Sequence, residues 1–239
     1  MSAGIGRAPL PSPVSVRVPG AAGFMRPRGE GVVVVLEHGH WSASFAAGAL
    51  ERAHAGCVVA TSAVPEVDWP ALEAAGFRLR ETLTLLELAL LTRREAMPGR
   101  GVRRGGRRDI PGALAADLAA FPAGAALDRV GFDEARHATH RTRFAVRDTP
   151  QGLRGYAISG VAGRSGYLQR LAVHPGAQGR GYGTALVADS LAWLARRGAR
   201  HALVNTHPTN SRALALYDAF GFRPREARLG VFEATGRAG

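Results

Sequence analysis

The sequence predicts an α/β protein, because segments with strand propensity alternate with amphipathic helical segments from residue 31 almost to the end. Two stretches carry most of that inference. Residues 167–187 read without a break as strand, glycine-rich loop and helix start. Leu168, Leu171 and Val173 form a short apolar run, Pro175 and Gly176 end it, Gly179, Gly181 and Gly183 follow, and Val187, Leu191 and Leu194 recur on one helical face. Residues 210–222 read as a helix with both ends marked, Asn210 as a natural N-cap and Gly221 as a natural C′ residue.

At 239 residues the chain can form one large or two small domains with a proper core. Its 31 basic residues, all arginine, outnumber 19 acids and leave a formal net charge of +12. Arginine without lysine, beside abundant alanine and glycine, points to a GC-rich coding sequence as one source of that charge. The single cysteine, Cys57, excludes an internal disulfide and a cysteine-based zinc cluster, suits a reducing compartment, and falls in an apolar run where a buried, inert thiol is expected. No stretch approaches the roughly 20 apolar residues of a membrane helix. Residues 1–29 hold Pro9, Pro11, Pro13, Pro19 and Pro27 without periodicity, which predicts a disordered tail rather than a signal peptide, and a cytoplasmic protein.

Residues 30–92 predict a small α/β unit: strand 32–36, helix 44–55 ended by Gly56, strand 57–64, helix 69–75 stopped by Gly76, and a long strand within 78–91. His38 and His40 alternate, but no third ligand is near in sequence, so solvated histidines are expected and no metal is predicted. Glu37 is a candidate to face a cleft if the two halves of the chain pack together. Residues 93–101 read as an Arg- and Gly-rich linker. The run Arg93, Arg94, Arg100, Arg103, Arg104, Arg107 and Arg108 could bind nucleic acid electrostatically, yet no aromatic residues interleave to stack on bases, so the linker is the better reading.

A second unit is predicted over residues 102–239. It opens with strand 102–104, helix 111–121 with Asp109 as N-cap, and helix 132–138. A hairpin of strands 143–147 and 153–159, a turn at 163–166, and the strand and loop described above lead into helix 184–197. Strand 201–205, helix 210–220 and strand 228–233 complete it.

Gly179, Gly181 and Gly183, spaced by two, let backbone N–H groups converge on one small volume, and the following helix aims its unpaired N–H groups and positive dipole end there. The expected occupant is an anion, foremost a pyrophosphate. The loop is not a Walker loop, since no Lys-Ser or Lys-Thr follows, and it lacks the Gly-x-Gly-x-x-Gly order of a dinucleotide fingerprint. Asn210 and Tyr217 lie about two helical turns apart, near one edge. By itself that stretch reads as a capping Asn and a core Tyr beside Ala213, Leu216 and Phe220.

Both stretches resemble signatures of the GCN5-related N-acetyltransferases, the GNAT family. Gln178, Gly181 and Gly183 stand at the defining places of its Arg/Gln-x-x-Gly-x-Gly/Ala loop, and Asn210, Ala213, Leu216, Tyr217, Gly221 and Phe222 match its Asn-x-x-Ala-x-x-Leu-Tyr-x-x-x-Gly-Phe helix. The resemblance covers about residues 102–233. It implies a mixed, largely antiparallel central sheet flanked by helices, acetyl-coenzyme A as co-substrate, no metal, and transfer of the acetyl group to a primary amine of a small molecule or a protein. It also implies site residues. Main-chain groups of Leu171 and Val173 would pair with the pantetheine arm, and Gln178, Gly179, Arg180, Gly181, Tyr182, Gly183 and Thr184 would cradle the pyrophosphate. Asn210 would lie beside the coenzyme, the N–H of Leu171 would stabilise the oxyanion, and Tyr217 would protonate the leaving thiolate.

The resemblance does not supply a general base. Some relatives carry a glutamate where this chain has Asn205, which leaves His174, His207, Asp133 and Glu134 as candidates. The segment Ala74-Ala-Gly-Phe-Arg78 is similar to Ala219-Phe-Gly-Phe-Arg223, so residues 30–92 are expected to be a degenerate half-copy whose 37–41 loop, with one glycine, holds no pyrophosphate. Two alternatives stand beside the enzyme: a non-catalytic acyl-coenzyme A-binding regulator, and a basic nucleic-acid-associated protein. No membrane partner is expected, and neither acceptor nor oligomeric state is legible.

Overall fold

The computed structural model describes residues 13–28, 31–90, 99–122, 125–150 and 152–236. Its elements are β1 (Val14–Val18), β2 (Ala21–Arg28), β3 (Gly31–Gly39), α1 (Ala43–Arg52), β4 (Val58–Thr61), β5 (Val64–Pro65), α2 (Trp69–Ala74), β6 (Arg78–Ala89) and β7 (Val102–Arg104). They continue with α3 (Ile110–Ala120), α4 (Arg129–His137), β8 (Arg141–Thr149), β9 (Gly152–Ala162), β10 (Ser165–Val173), α5 (Tyr182–Arg196), β11 (His201–Thr206), α6 (Ser211–Ala219) and β12 (Arg223–Thr235). The chain divides into two compact units. One comprises Met1–Thr84 and Glu226–Gly239, the other Leu85–Arg225. No helix among the described residues is long and apolar enough to cross a membrane.

In the first unit the strands lie in the order β1-β2-β3-β4-β12. β1, β2 and β3 form an antiparallel meander, and β3 then runs parallel to β4 through the crossover helix α1, with Val32 opposite Val59. Residues 14–28 are therefore strands, where a disordered tail was expected; residues 1–12 and 29 of that tail lie outside the described residues. The prolines misled because Pro19 occupies the turn between the strands, while Val16 and Met25 are fully buried beside Phe45 and Leu50. Truncating a buried Met typically costs about 2–5 kcal/mol, so denaturant unfolding of Met25→Ala should show a loss in that range. A disordered tail would show none.

The last strand also differs from expectation. Residues 228–233 were assigned to the second unit, yet β12 pairs with β4 at Glu233 and Ala60, and Phe232 is fully buried with its ring edge-on to Trp69 at 5.7 Å. The single strand expected over 57–64 is two, β4 and the short β5, and Cys57 is half-buried rather than buried. Gly39, at φ +87°, has the Gly20 carbonyl oxygen 2.0 Å from where its Cβ would stand. The one glycine of the 37–41 loop thus admits a neighbouring backbone rather than opening a phosphate cradle. His40 is exposed, and the side chains of Glu37 and His38 lie outside the described residues.

In the second unit the order is β6-β11-β10-β9-β8-β7. The pairs β7–β8, β8–β9 and β9–β10 are antiparallel, while β10 and β11 are parallel around α5, which makes the sheet mixed and largely antiparallel. One face packs Ile110, Ala113 and Phe132 of α3 and α4 against Phe144, Tyr156, Ile158 and Ala172. The other packs Leu186, Leu191 and Leu194 of α5 and Tyr217 of α6 against Ala157 and Leu168. Leu86 and Leu88, expected in the N-terminal unit, belong to this second core. Arg143 grips the buried Asp189 through two bonds of 2.6 and 2.9 Å, tying β8 to α5.

The strand expected at 102–104 is present as β7. Asp109 differs from its expected capping role: its carboxylate accepts from the Gly106 N–H at 2.7 Å and binds Arg103 at 2.6 Å, closing the turn ahead of α3. Part of the arginine run is thereby structural, while Arg93 and Arg94 lie outside the described residues.

Candidate active site

β10 is paired with β9 from Ser165 to Val173 but meets β11 only over Ser165 to Tyr167, opposite His201 to Leu203. Beyond Tyr167 the two parallel strands part, and one edge of β10 loses its ladder. The His174 N–H bonds to the Arg154 carbonyl on the β9 side at 2.8 Å. By the period-two alternation of a strand, Ala172 also turns its backbone groups to β9, and Leu171 and Val173 turn theirs to the free edge. An extended amide-bearing chain can add there as a strand.

The strand ends in a 3₁₀ turn, Pro175–Ala177, and then the glycine loop. Gly179 and Gly181 both adopt φ +76°, and a Cβ on either would meet nothing within 4 Å, so they are glycines for their backbone conformation and face open space. Gly181 is the N-cap residue of α5, so the helix starts at Tyr182, two residues before the expected Thr184. Ala185 N–H is the first to bond back, to the Gly181 carbonyl, which leaves the N–H groups of Tyr182, Gly183 and Thr184 in the unpaired first turn. Gln178 differs from expectation. Its N–H bonds to the Pro175 carbonyl at 3.2 Å and its side chain donates to the Val173 carbonyl at 2.9 Å, so it braces the loop.

Edge and loop open into one cleft of roughly 760 Å³. Leu171, Val173, Gln178, Gly179, Gly181, Tyr182, Gly183, Thr184 and Asn210 all line it. Arg180 is exposed and does not. The sequence reading missed Ala120, Phe121 and Pro122, the end of α3 that forms the opposite wall, and Thr209, Ser211 and Arg212 at the start of α6. Arg212 occupies an unspecified place in the helix signature, so no pattern marks it. Asn210 caps α6 as expected, its Oδ1 accepting from the Ala213 N–H at 3.1 Å. Two helix N-termini, of α5 and α6, thus meet one cleft, each with the positive end of its dipole. Asn210→Ala should lower stability by about 1 kcal/mol through the lost cap; thermal unfolding checks this, and calorimetry with acetyl-coenzyme A shows whether affinity falls as well.

Tyr217 is not among the lining residues, although its neighbours Ala213 and Leu216 are. It is 4% exposed, its ring packs on Phe222 at 5.5 Å, and burial raises its phenol pKa well above the usual value. The four candidate bases are not brought to the cleft lining. His174 Nδ1 accepts from the Gly176 N–H at 3.1 Å, His207 Nδ1 bonds Thr209 Oγ1 at 2.6 Å, Asp133 pairs with Arg129 on α4, and Glu134 lies on the same helix. Asn205 is exposed on β11. Among the described residues no group of His, Cys, Asp and Glu could hold a metal ion.

The acetyltransferase (GNAT) family model matches residues 115–222. No curated protein matches the sequence. Among solved structures, a GNAT-family protein from Novosphingobium aromaticivorans is similar at 20% identity with TM-score 0.67, over 94% of this chain and 92% of that one. A GCN5-related N-acetyltransferase from Sphaerobacter thermophilus is similar at 17% identity and TM-score 0.58, over 92% and 78%. A tandem GNAT protein from the clavulanic acid biosynthesis pathway is similar at 16% identity and TM-score 0.62, over 92% and 80%. These likenesses establish the fold over nearly the whole chain, N-terminal half-domain included.

Proposed function

From the match of residues 115–222 to the acetyltransferase (GNAT) family model we propose that the protein is a cytoplasmic N-acetyltransferase moving acetyl from acetyl-coenzyme A to a primary amine of a small molecule or a protein. One observation carries the reading: a strand edge at Leu171 and Val173 that has left the β11 ladder, with only the Val173 carbonyl taken up by Gln178, and the unpaired first turn of α5 open into the same cleft. The edge suits the two amides of a pantetheine arm, and the helix start suits its pyrophosphate.

The amine nitrogen attacks the thioester carbonyl carbon, a C–N bond forms, and negative charge develops on the carbonyl oxygen. The Leu171 N–H, on the free edge, is the proposed donor to that oxygen. Collapse breaks the C–S bond, the thiolate takes the Tyr217 hydroxyl proton, and the nitrogen releases its proton to water or a base. Incubating the full chain with acetyl-coenzyme A and a panel of small amines and N-terminal peptides, followed by mass spectrometry, tests the proposal. A product heavier by one acetyl group and dependent on Leu171 geometry is expected. Tight coenzyme binding without turnover on any amine would favour the regulatory alternative instead.

A further inference from the structure

The register of β10 against β9 runs Leu168 opposite Ser159, then Arg170 opposite Ile158, which leaves Gln169 as an extra residue. Before this bulge Leu168 packs into the α5 core. After it Leu171 and Val173 do, while Ala172 packs into the α3 core. One residue inserted into a period-two strand exchanges the faces of everything beyond it. A Cβ at Gly160 would stand 2.2 Å from Thr139 Oγ1 and 2.8 Å from Gln169 Nε2, so the glycine leaves room for both side chains.

The exchange puts Arg170 on the α3 layer, where it meets the wholly buried Asp117. Arg170 Nε and Nη2 donate to the two carboxylate oxygens at 2.7 and 2.6 Å, and the carboxylate also accepts from the Tyr156 hydroxyl at 2.6 Å and the Leu127 N–H at 2.7 Å. Arg170 donates further to the Ala125 carbonyl at 2.9 Å, and its guanidinium lies 3.5 Å from the centroid of Phe121, in the cleft wall. Without the bulge, Arg170 would turn into the apolar α5 core and strand Asp117 as an uncompensated buried charge, a state that desolvation disfavours strongly. The same slip would turn the Leu171 N–H from the free edge into the β9 ladder.

We infer that the Arg170–Asp117 pair locks the β10 bulge in register, and so acts as a positioning pair that aims the Leu171 N–H at the reacting carbonyl. The inference rests on the proposed oxyanion role of Leu171. Its test uses the full-length double variant Arg170→Met/Asp117→Leu, which removes both charges and strands neither. Turnover should fall at least roughly 10²-fold, the worth of one oxyanion donor, and coenzyme affinity should fall with it, because the slip also takes the Leu171 and Val173 edge away from the pantetheine arm. Cross-strand NMR contacts between position 170 and Ile158 should be lost. Arg170→Lys, which keeps the charge on the α3 face, should retain those contacts and restore most of the rate.

Persistence of the 170–158 register in the folded double variant overturns the lock, whatever its rate. Should that variant not fold, Asp117→Asn keeps the side-chain shape without the charge; amide exchange at Ala172 should then speed up by about tenfold or more with β8 unchanged, and unchanged exchange at Ala172 overturns the inference. A wild-type protein that acylates no amine removes the functional reading, and the register measurements still decide the lock.

Discussion

Gly183→Val protein should unfold cooperatively like its parent and bind acetyl-coenzyme A at least 10²-fold more weakly, because side-chain volume then occupies the mouth of the phosphate cradle. The position is not left-handed, so backbone strain plays no part; the new Cβ would stand 3.3 Å from Leu216 Cδ2, a flexible chain end that can yield. Gly181→Val tests the other half of the argument. There the space is open but φ is +76°, and holding a β-branched residue left-handed costs about 1–2 kcal/mol. The chain should relieve that strain by rotating the peptide, and the N–H groups at the start of α5 rotate with it. Calorimetry on both variants checks this: unchanged affinity in either folded protein would remove the pyrophosphate from this loop.

Tyr217→Phe should slow acetyl transfer by roughly 10²- to 10⁴-fold, the usual worth of a positioned general acid, with coenzyme affinity and melting temperature little altered. The substitution keeps the ring that packs on Phe222 and deletes only the hydroxyl. Burial holds the phenol protonated to a higher pH than a free tyrosine, near 10. Loss of the acid by ionisation should therefore not appear below about pH 10, and any alkaline decline at lower pH must belong to another group. If Tyr217 is only a core residue, the substitution will shift the melting temperature and leave turnover intact, and the catalytic role falls.

The strongly local features were legible before any fold was known. A left-handed backbone at Gly181 needs glycine, an unpaired helix start needs a cap such as Asn210, and a crossover helix needs an apolar stripe like Val187, Leu191 and Leu194; each leaves its mark within one or two turns of chain. Gln178 was found for its place in the loop but misread in its action. Whether an amide side chain reaches a ligand or bends back to the Val173 carbonyl depends on loop geometry that residue types do not encode.

The α/β class and the strand, loop and helix that border the cleft were legible in the residues alone, because they follow from period, turn chemistry and backbone sterics over short separations. The folded core alone accounts for the order of β1 and β2, since Val16 and Met25 become strand residues through partners such as Phe45 that lie far along the chain. Only it decided that β12 completes the first unit while Leu86 and Leu88 of β6 serve the second, because sheet membership is set by which core a strand can bury itself in. The bulge at Gln169 belongs with these. The adjacent polar pair Gln169-Arg170 does shift the apolar parity between Leu168 and Leu171, but only the folded core shows that Arg170 meets a buried carboxylate on α3 there.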